Sequence, residues 1–183
     1  MSGFEFIFTL YGLLLGLALA EGLGGLARAV KASHRVHVGW PTALLGLFVS
    51  CDVVTFWMYG WALRELIPIS WPSMFGGFVV TAVYFVCASL VFPDDAEDWN
   101  DLNGYFDKQR RKVLFGIFMC NAALLALAFA LTGIPGGTSI RIIIVTWSFF
   151  PVCALAILTP DRRVVVGCLV WLILLYPLSA LWT

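Results

Sequence analysis

Long apolar runs alternate with short polar segments along the whole chain. Each run has about 20 residues, and a helix of that length crosses a hydrocarbon core of ~30 Å. Because backbone groups in lipid must bond to one another, each run predicts a helix. No run shows the alternation over ~10 residues that a membrane barrel requires. The pattern predicts an all-α, polytopic bundle of six transmembrane helices, at about 4–29, 41–64, 72–92, 112–132, 139–159 and 163–182.

Composition predicts that the lipid bilayer surrounds most of the chain. Of the 183 residues, 61% are hydrophobic and 12% are charged, and the mean hydropathy is +0.94. Soluble domains carry roughly 25% charged residues. The first span lacks a preceding basic segment and is too long for a signal peptide, so we expect it to be retained. We expect residues 1–183 to form a single transmembrane domain, with no separate soluble domain and no nucleic-acid partner.

Lysine and arginine are distributed unevenly between the two sides of the predicted bundle. Nine lie in or beside the loops after the first, third and fifth spans: Arg28, Lys31, Arg35, Lys108, Arg110, Arg111, Lys112, Arg162 and Arg163. Only Arg64 and Arg141 lie on the opposite side. Because basic loops stay in the cytoplasm, we predict a bacterial-type inner membrane protein with both termini outside. The net charge of zero sums two opposed faces and identifies no partner.

The predicted hairpin of the third and fourth spans resembles the predicted hairpin of the fifth and sixth spans in sequence. The segment LGLFVSCD at 45–52 is similar to FGIFMCN at 115–121, and RRKVLFG at 110–116 is similar to RRVVVGC at 162–168. Units of two helices keep the same membrane orientation, so these similarities predict a parallel repeat of hairpins. The predicted repeat has two copies, or three if the first hairpin is a diverged copy.

The longest polar segment, residues 93–112, predicts a short cytoplasmic interfacial helix at about 95–109. Acidic residues crowd its first turns and basic residues its last turns, which complements the helix dipole. Its apolar side chains fall on or beside one face: Trp99, Leu102, Tyr105 and Phe106. We expect these side chains to lie in the headgroup layer. The alternative interpretation is a solvated loop.

Asp52 is the sharpest functional candidate because it lies about halfway along the second span. An ionised carboxylate there costs at least ~2.5 kcal/mol. Thr55 and Tyr59 share its helix face, so their hydroxyls could bond to it. Asn121 occupies the corresponding place in the fourth span if the repeat is real. An Asp52–Asn121 pair could be a proton relay, a cation site or a polar clasp between helices.

A second feature of interest is the first span, where small residues recur at every fourth position: Gly12, Gly16, Ala20 and Gly24. Small residues at this spacing let helix backbones approach closely, which predicts a packing interface. Glu21 lies beside that interface, rotated ~100° from Ala20, near the cytoplasmic end. It is a further candidate carboxylate, or it reaches the membrane surface or a basic group on another helix.

Common enzyme motifs, including HExxH, GxSxG and the Walker loop, are absent from the sequence. His34 and His37 have a spacing of three, but no nearby carboxylate or thiol completes a metal site. The five cysteines fall inside predicted spans without a CxxC pair, which favours buried, reduced thiols. The sequence therefore predicts no catalytic residue, metal or cofactor, and nothing in it argues for an enzyme.

Two functional hypotheses remain. In the first, the protein is a channel or transporter for an ion, protons or a small solute. Its route passes the polar residues of the spans, with Glu21 near the cytoplasmic mouth: Asp52, Asn121, Thr55 and Tyr59. In the second, it is a non-catalytic accessory or scaffold subunit that docks through the small-residue face onto a membrane partner or a second copy. A hydrated cavity reaching Asp52 would favour transport, whereas a sealed Asp52 with a large partner face would favour the subunit.

Overall fold

The computed structural model describes residues 3–32, 39–94, 98–133 and 140–181. Within these ranges all regular structure is helical, and six helices are long and apolar enough to cross a membrane. This confirms the predicted all-α, six-helix membrane class. The helices are α1 (Gly3–Ala32), α2 (Trp40–Ala62), α3 (Trp71–Ser89), α4 (Leu102–Thr132), α5 (Ile140–Leu158) and α6 (Arg162–Leu181). The hairpin repeat and the single-domain organisation stay predictions, and His34 and His37 lie outside the described residues.

Local sequence sets the ends of the helices that carry the site. The Ser70 hydroxyl caps α3 by accepting from the Ser73 N–H at 3.4 Å. The Asp101 carboxylate caps α4 by accepting from the Gly104 N–H at 2.9 Å. At the other end of α4, Gly133 has a φ of 76°, a left-handed conformation that stops the helix and favours glycine.

α2 lies at the centre of the bundle. It contacts α1, α3, α4 and α6, and further contacts join α3 to α4, α4 to α5 and α5 to α6. Any polar group on the inner faces of α2 can therefore meet side chains from several helices.

α1 packs through a regular stripe of small and apolar positions. These buried positions are Leu15, Ala18, Gly22, Gly25 and Ala29. Their spacing of three and four is typical of helix–helix seams. A Cβ at Gly25 would stand 2.1 Å from the ring of Phe92, so this close approach requires glycine.

The predicted small-residue face is offset from this stripe. At Gly12 an added Cβ would lie 2.3 Å from the Trp57 ring, so this residue is in close contact. At Gly16 no described atom would lie within 4 Å, Ala20 is exposed, and the nearest atom at Gly24 belongs to α1 itself. Of this face, only Gly12 packs closely against another helix in the described part of the chain, and contact of the other three residues with a partner stays a prediction. Close packing of Leu15 and Ala18 against neighbouring helices adds van der Waals contacts, and this favours the observed register.

The segment predicted as an interfacial helix at 95–109 differs in the structure. A 3₁₀ turn at Asp98–Asp101 leads directly into α4, so residues 102–109 are the first turns of a continuous 31-residue helix. Leu102 and Phe106 are buried in the protein and do not face headgroups. The reason is packing against the start of α2, where the Thr42 hydroxyl donates to the Leu102 carbonyl at 3.1 Å. Residues 95–97 lie outside the described part of the chain.

The other two aromatic residues of that segment contact the chain before it. The Trp99 indole N–H donates to the Pro93 carbonyl at 3.0 Å, and its ring stacks on Phe92. The Tyr105 hydroxyl donates to the Phe92 carbonyl at 3.5 Å. These contacts hold the connection between α3 and α4 against the bundle.

We call the end of the bundle where α3 ends and α4 begins the basic end, after Lys108, Arg110, Arg111 and Arg162. Arg110 is only 3% exposed there. Its guanidinium donates to the Ala156 and Thr159 carbonyls, each at 2.9 Å. These carbonyls lie at the end of α5, where a helix leaves acceptors without partners of its own. Arg110 thus fastens the start of α4 to the end of α5.

α5 is irregular in its first half. A π-helical turn covers Ile143–Trp147, with the Ser148 N–H donating to the Ile143 carbonyl at 3.0 Å. Pro151 follows this turn. Proline has no N–H to donate to the Trp147 carbonyl, and its ring also crowds that carbonyl. The wide π-helical turn directly before Pro151 accommodates this residue within α5.

Candidate functional site

Asp52 forms the centre of a polar cluster inside the bundle. It lies twelve residues after Trp40 and ten before Ala62, and it is 2% exposed. The Tyr84 hydroxyl and the Asn121 amide donate to its Oδ2, at 2.7 and 2.8 Å. The Tyr176 hydroxyl donates to its Oδ1 at 2.8 Å. Three neutral donors therefore hold one carboxylate.

The donors come from three different helices. Tyr84 belongs to α3, Asn121 to α4 and Tyr176 to α6, while Asp52 belongs to α2. The cluster thus ties four helices together at one point. The sequence placed Asn121 beside Asp52 but did not identify Tyr84 or Tyr176 as partners of the carboxylate. A tyrosine inside an apolar span was the only available signal for either one.

Thr55 and Tyr59 are near Asp52 in sequence but do not bond to it. The Thr55 hydroxyl donates to the Cys51 carbonyl at 2.9 Å, the local bond that a threonine within a helix commonly makes. Tyr59 is 49% exposed. Both residues instead line the space that opens beside the cluster.

A cavity of about 400 Å³ lies against Asp52. Its wall comes from α2, α4, α5 and α6, and it extends to Ala62, Thr132 and Ser179, near the ends of three of these helices. Ten residues separate Asp52 from Ala62, which corresponds to about 15 Å of helix. The cavity therefore runs from the polar cluster toward the end of the bundle opposite the basic end.

The π-helical turn of α5 contributes to this wall through Val145 and Thr146. Such turns widen a helix locally and occur frequently at functional sites. Among the described residues, no lysine or arginine side chain lines the cavity. Arg141 donates to the Ser179 carbonyl at 3.4 Å near the mouth, but its side chain is exposed and does not line the cavity.

On the other side of Asp52 the bundle is solid. Toward the basic end, α2 and its neighbours bury side chains to 1% exposure or less: Leu45, Phe48, Val49, Leu114, Ile117, Cys153 and Leu169. Close packing of this kind leaves no room for water. The cavity therefore has an end at Asp52 and does not continue through the bundle.

Glu21 and Asp52 are not brought together. Glu21 is half-buried on α1 and does not line the cavity, and no hydrogen-bond partner for it lies among the described residues. Glu21 therefore lies outside the Asp52 cavity, and its role near a cytoplasmic mouth stays a prediction.

The site is made of one carboxylate, one amide and two phenol groups. Within the described ranges, no group of three or more His, Cys, Asp or Glu side chains could hold a metal ion. The five cysteines are not joined in disulfides. No protein-family model, curated protein or solved structure matches the chain. The function proposed below therefore rests on the geometry of the cavity and its carboxylate.

Proposed function

We propose that this multi-pass membrane protein is a transporter that receives protons or a small cationic solute at Asp52. The observation that carries the proposal is a cavity of about 400 Å³ whose inner end is a buried carboxylate. A purely structural polar clasp needs no such space beside it.

The charge balance around Asp52 supports this proposal. A carboxylate away from water is unstable without compensation, and the usual partner is a cationic side chain. All three groups that bond to Asp52 are neutral. A proton or a cation from the cavity would supply the missing positive charge. Intramembrane acidic residues of this kind mark ion and proton pathways in many membrane proteins.

The one-ended cavity supports alternating access as the mode of transport. Opening toward the basic end would require the helices around Phe48, Ile117 and Leu169 to separate. Asp52 contacts α3, α4 and α6 at once, so a change in its charge alters bonds to all three helices. A ligand that binds one arrangement more tightly shifts the population toward it. With the basic loops in the cytoplasm of a bacterial-type cell, the mouth and both termini face outward.

The proposal is tested with the purified full chain in liposomes. Entry of protons, alkali cations and small amines is followed against liposomes without protein. We expect flux of at least one of these, falling to background in Asp52→Asn, which keeps the side-chain shape and removes the charge. Glu65→Gln is the matched control, because Glu65 lies beyond the end of α2 and is 80% exposed. No flux of any of them, or equal flux in Asp52→Asn, contradicts the proposal.

The subunit hypothesis stays as a second candidate because of the outer face of α1. Gly16 has open space around it and Ala20 is exposed, and Leu13 and Leu17 are exposed on the same stretch of the helix. A membrane partner or a second copy could approach closely there. Chemical cross-linking in native membranes would then give a larger species that Gly16→Leu removes. A monomer in both cases contradicts this candidate.

A further inference from the structure

The cavity beside Asp52 is larger than an inorganic ion needs. Small-molecule sites occupy roughly 300–1,000 Å³, and the volume here is about 400 Å³. A dehydrated Ca²⁺ or Mg²⁺ ion instead requires about six or more oxygen ligands close around it. The cavity offers one carboxylate, and two of the three donors to it already occupy Oδ2. Its dimensions therefore suit an organic molecule.

The wall of the cavity is mainly apolar and includes four aromatic rings. These belong to Tyr59, Phe149, Phe150 and Tyr176. Leucine, alanine and valine side chains contribute most of the remaining wall. Such a wall favours the hydrocarbon part of a ligand, and aromatic faces also attract a cation within ~6 Å. A sugar or a zwitterion with many polar groups would leave its hydrogen bonds unpaired there.

The inner end of the cavity presents acceptors for hydrogen bonds. An ionised carboxylate has about four acceptor positions, and Asp52 uses three. The remaining position is on Oδ1, which accepts only from Tyr176. Both amide N–H groups of Asn121 are used, toward Asp52 and the Ile117 carbonyl, so its Oδ1 is available as an acceptor. The Thr55 oxygen is likewise an acceptor, because its proton goes to the Cys51 carbonyl.

An ammonium group has three donors and no acceptor. It complements a carboxylate, an amide oxygen and a hydroxyl oxygen, whereas an alcohol or an anion does not. We propose that the ligand of the Asp52 cavity is a small apolar primary amine in its protonated form, with the ammonium group at Asp52 and the hydrocarbon body against the aromatic wall. This inference names the substrate class of the proposed transporter and rests on that function.

The test is binding of benzylamine to the purified full chain in detergent micelles, measured by titration calorimetry. We expect one saturable site, and binding weakened about 10- to 100-fold in Asp52→Asn, the range of a hydrogen bond to a charged group. Benzyl alcohol has the same ring and no charge, so it measures partition into the micelle. Glu65→Gln is the matched carboxylate control and keeps the wild-type affinity.

A second variant tests the cavity without altering the carboxylate. Ala128 lines the wall on α4, and Ala128→Phe fills part of the space while Asp52 and its three donors stay in place. We expect this variant to lose benzylamine binding and to keep its thermal transition. If benzylamine binds no better than benzyl alcohol, or if Asp52→Asn and Ala128→Phe both bind normally, the amine inference is wrong.

The two proposals fail in different ways. Flux of protons or alkali cations that depends on Asp52, without benzylamine binding, overturns the amine inference and leaves the transporter. Saturable benzylamine binding that depends on Asp52, without any flux, overturns transport and supports the ligand class.

Discussion

Asp52 and Arg110 are both almost completely buried, at 2% and 3% exposure, but their surroundings differ. The Arg110 guanidinium donates hydrogen bonds to two backbone acceptors, the Ala156 and Thr159 carbonyls at the end of α5. Asp52 has only neutral donors and lies against a cavity. The comparison teaches that burial alone does not indicate function. What distinguishes the two charges is the presence of a carboxylate 3.7 Å from the Arg110 guanidinium, whereas no cationic side chain bonds to Asp52, which instead borders a cavity.

The largest effect on stability is expected at Arg110. Arg110→Met keeps much of the side-chain volume and leaves two carbonyls of α5 without their donor. Hydrogen bonds to charged groups contribute roughly 1.5–3 kcal/mol each. Relief of the buried charge offsets part of that loss. We therefore expect the free energy of unfolding in mixed micelles to fall by about 3 kcal/mol.

Arg111→Met is the matched control, because Arg111 is the next residue and is exposed. Its effect should stay within about 0.5 kcal/mol. Equal losses in the two variants would show that Arg110 does not fasten α4 to α5, and the contrast with Asp52 would then disappear.

Arg110 also shows which parts of the fold could be predicted from the sequence and which could not. The predicted second span, 41–64, agrees closely with Trp40–Ala62, because the length of an apolar run reports directly on a membrane helix. Arg110 was counted only as a basic residue near a loop. Its burial depends on where α5 ends relative to α4, and the spacing of residues along one helix contains no information about that.

The candidate site was predictable to a similar degree. Asp52 was recognisable because a carboxylate within an apolar run is costly. Tyr84 and Tyr176 lie 32 and 124 residues away from it in sequence. Whether they meet Asp52 depends on the rotation of α3 and α6 about their axes. The register of α1 was unpredictable for the same reason, since two faces with small residues were available.

An intermediate effect on stability is expected at Tyr84, and it tests whether this donor helps to hold the Asp52 carboxylate. Tyr84→Phe removes one donor to Oδ2 from a completely buried position. We expect the free energy of unfolding to fall by about 2 kcal/mol, since the lost bond involves a charged or strongly polar acceptor. Tyr59→Phe is the control, because Tyr59 is half-exposed and does not bond to Asp52. No difference between these variants would indicate that Tyr84 adds nothing to holding the carboxylate.

The smallest effect is expected at Asp107, which pairs with Arg162 at the basic end. Both side chains are about two-fifths exposed, at 42% and 41%, and Asp107 lies 3.7 Å from the Arg110 Nε. Exposed ion pairs contribute roughly 0.2–1 kcal/mol. We therefore expect Asp107→Asn to lower the free energy of unfolding by about 0.5 kcal/mol at low salt, and by less in 1 M salt, which screens such charges beyond about 3 Å.

Asp94→Asn is the control for Asp107, because Asp94 is an exposed acid at the same end. A loss at Asp107 as large as that of Arg110→Met, and unchanged in high salt, would mean that Arg110 depends on a counter-ion. Arg110 would then resemble Asp52 in needing an opposite charge. The small, salt-sensitive effect expected here instead follows from Arg110 having the α5 carbonyls as its main acceptors. Asp52 has three neutral donors but no cationic partner among the described residues, and for that reason the cavity beside it is the place to look for a ligand.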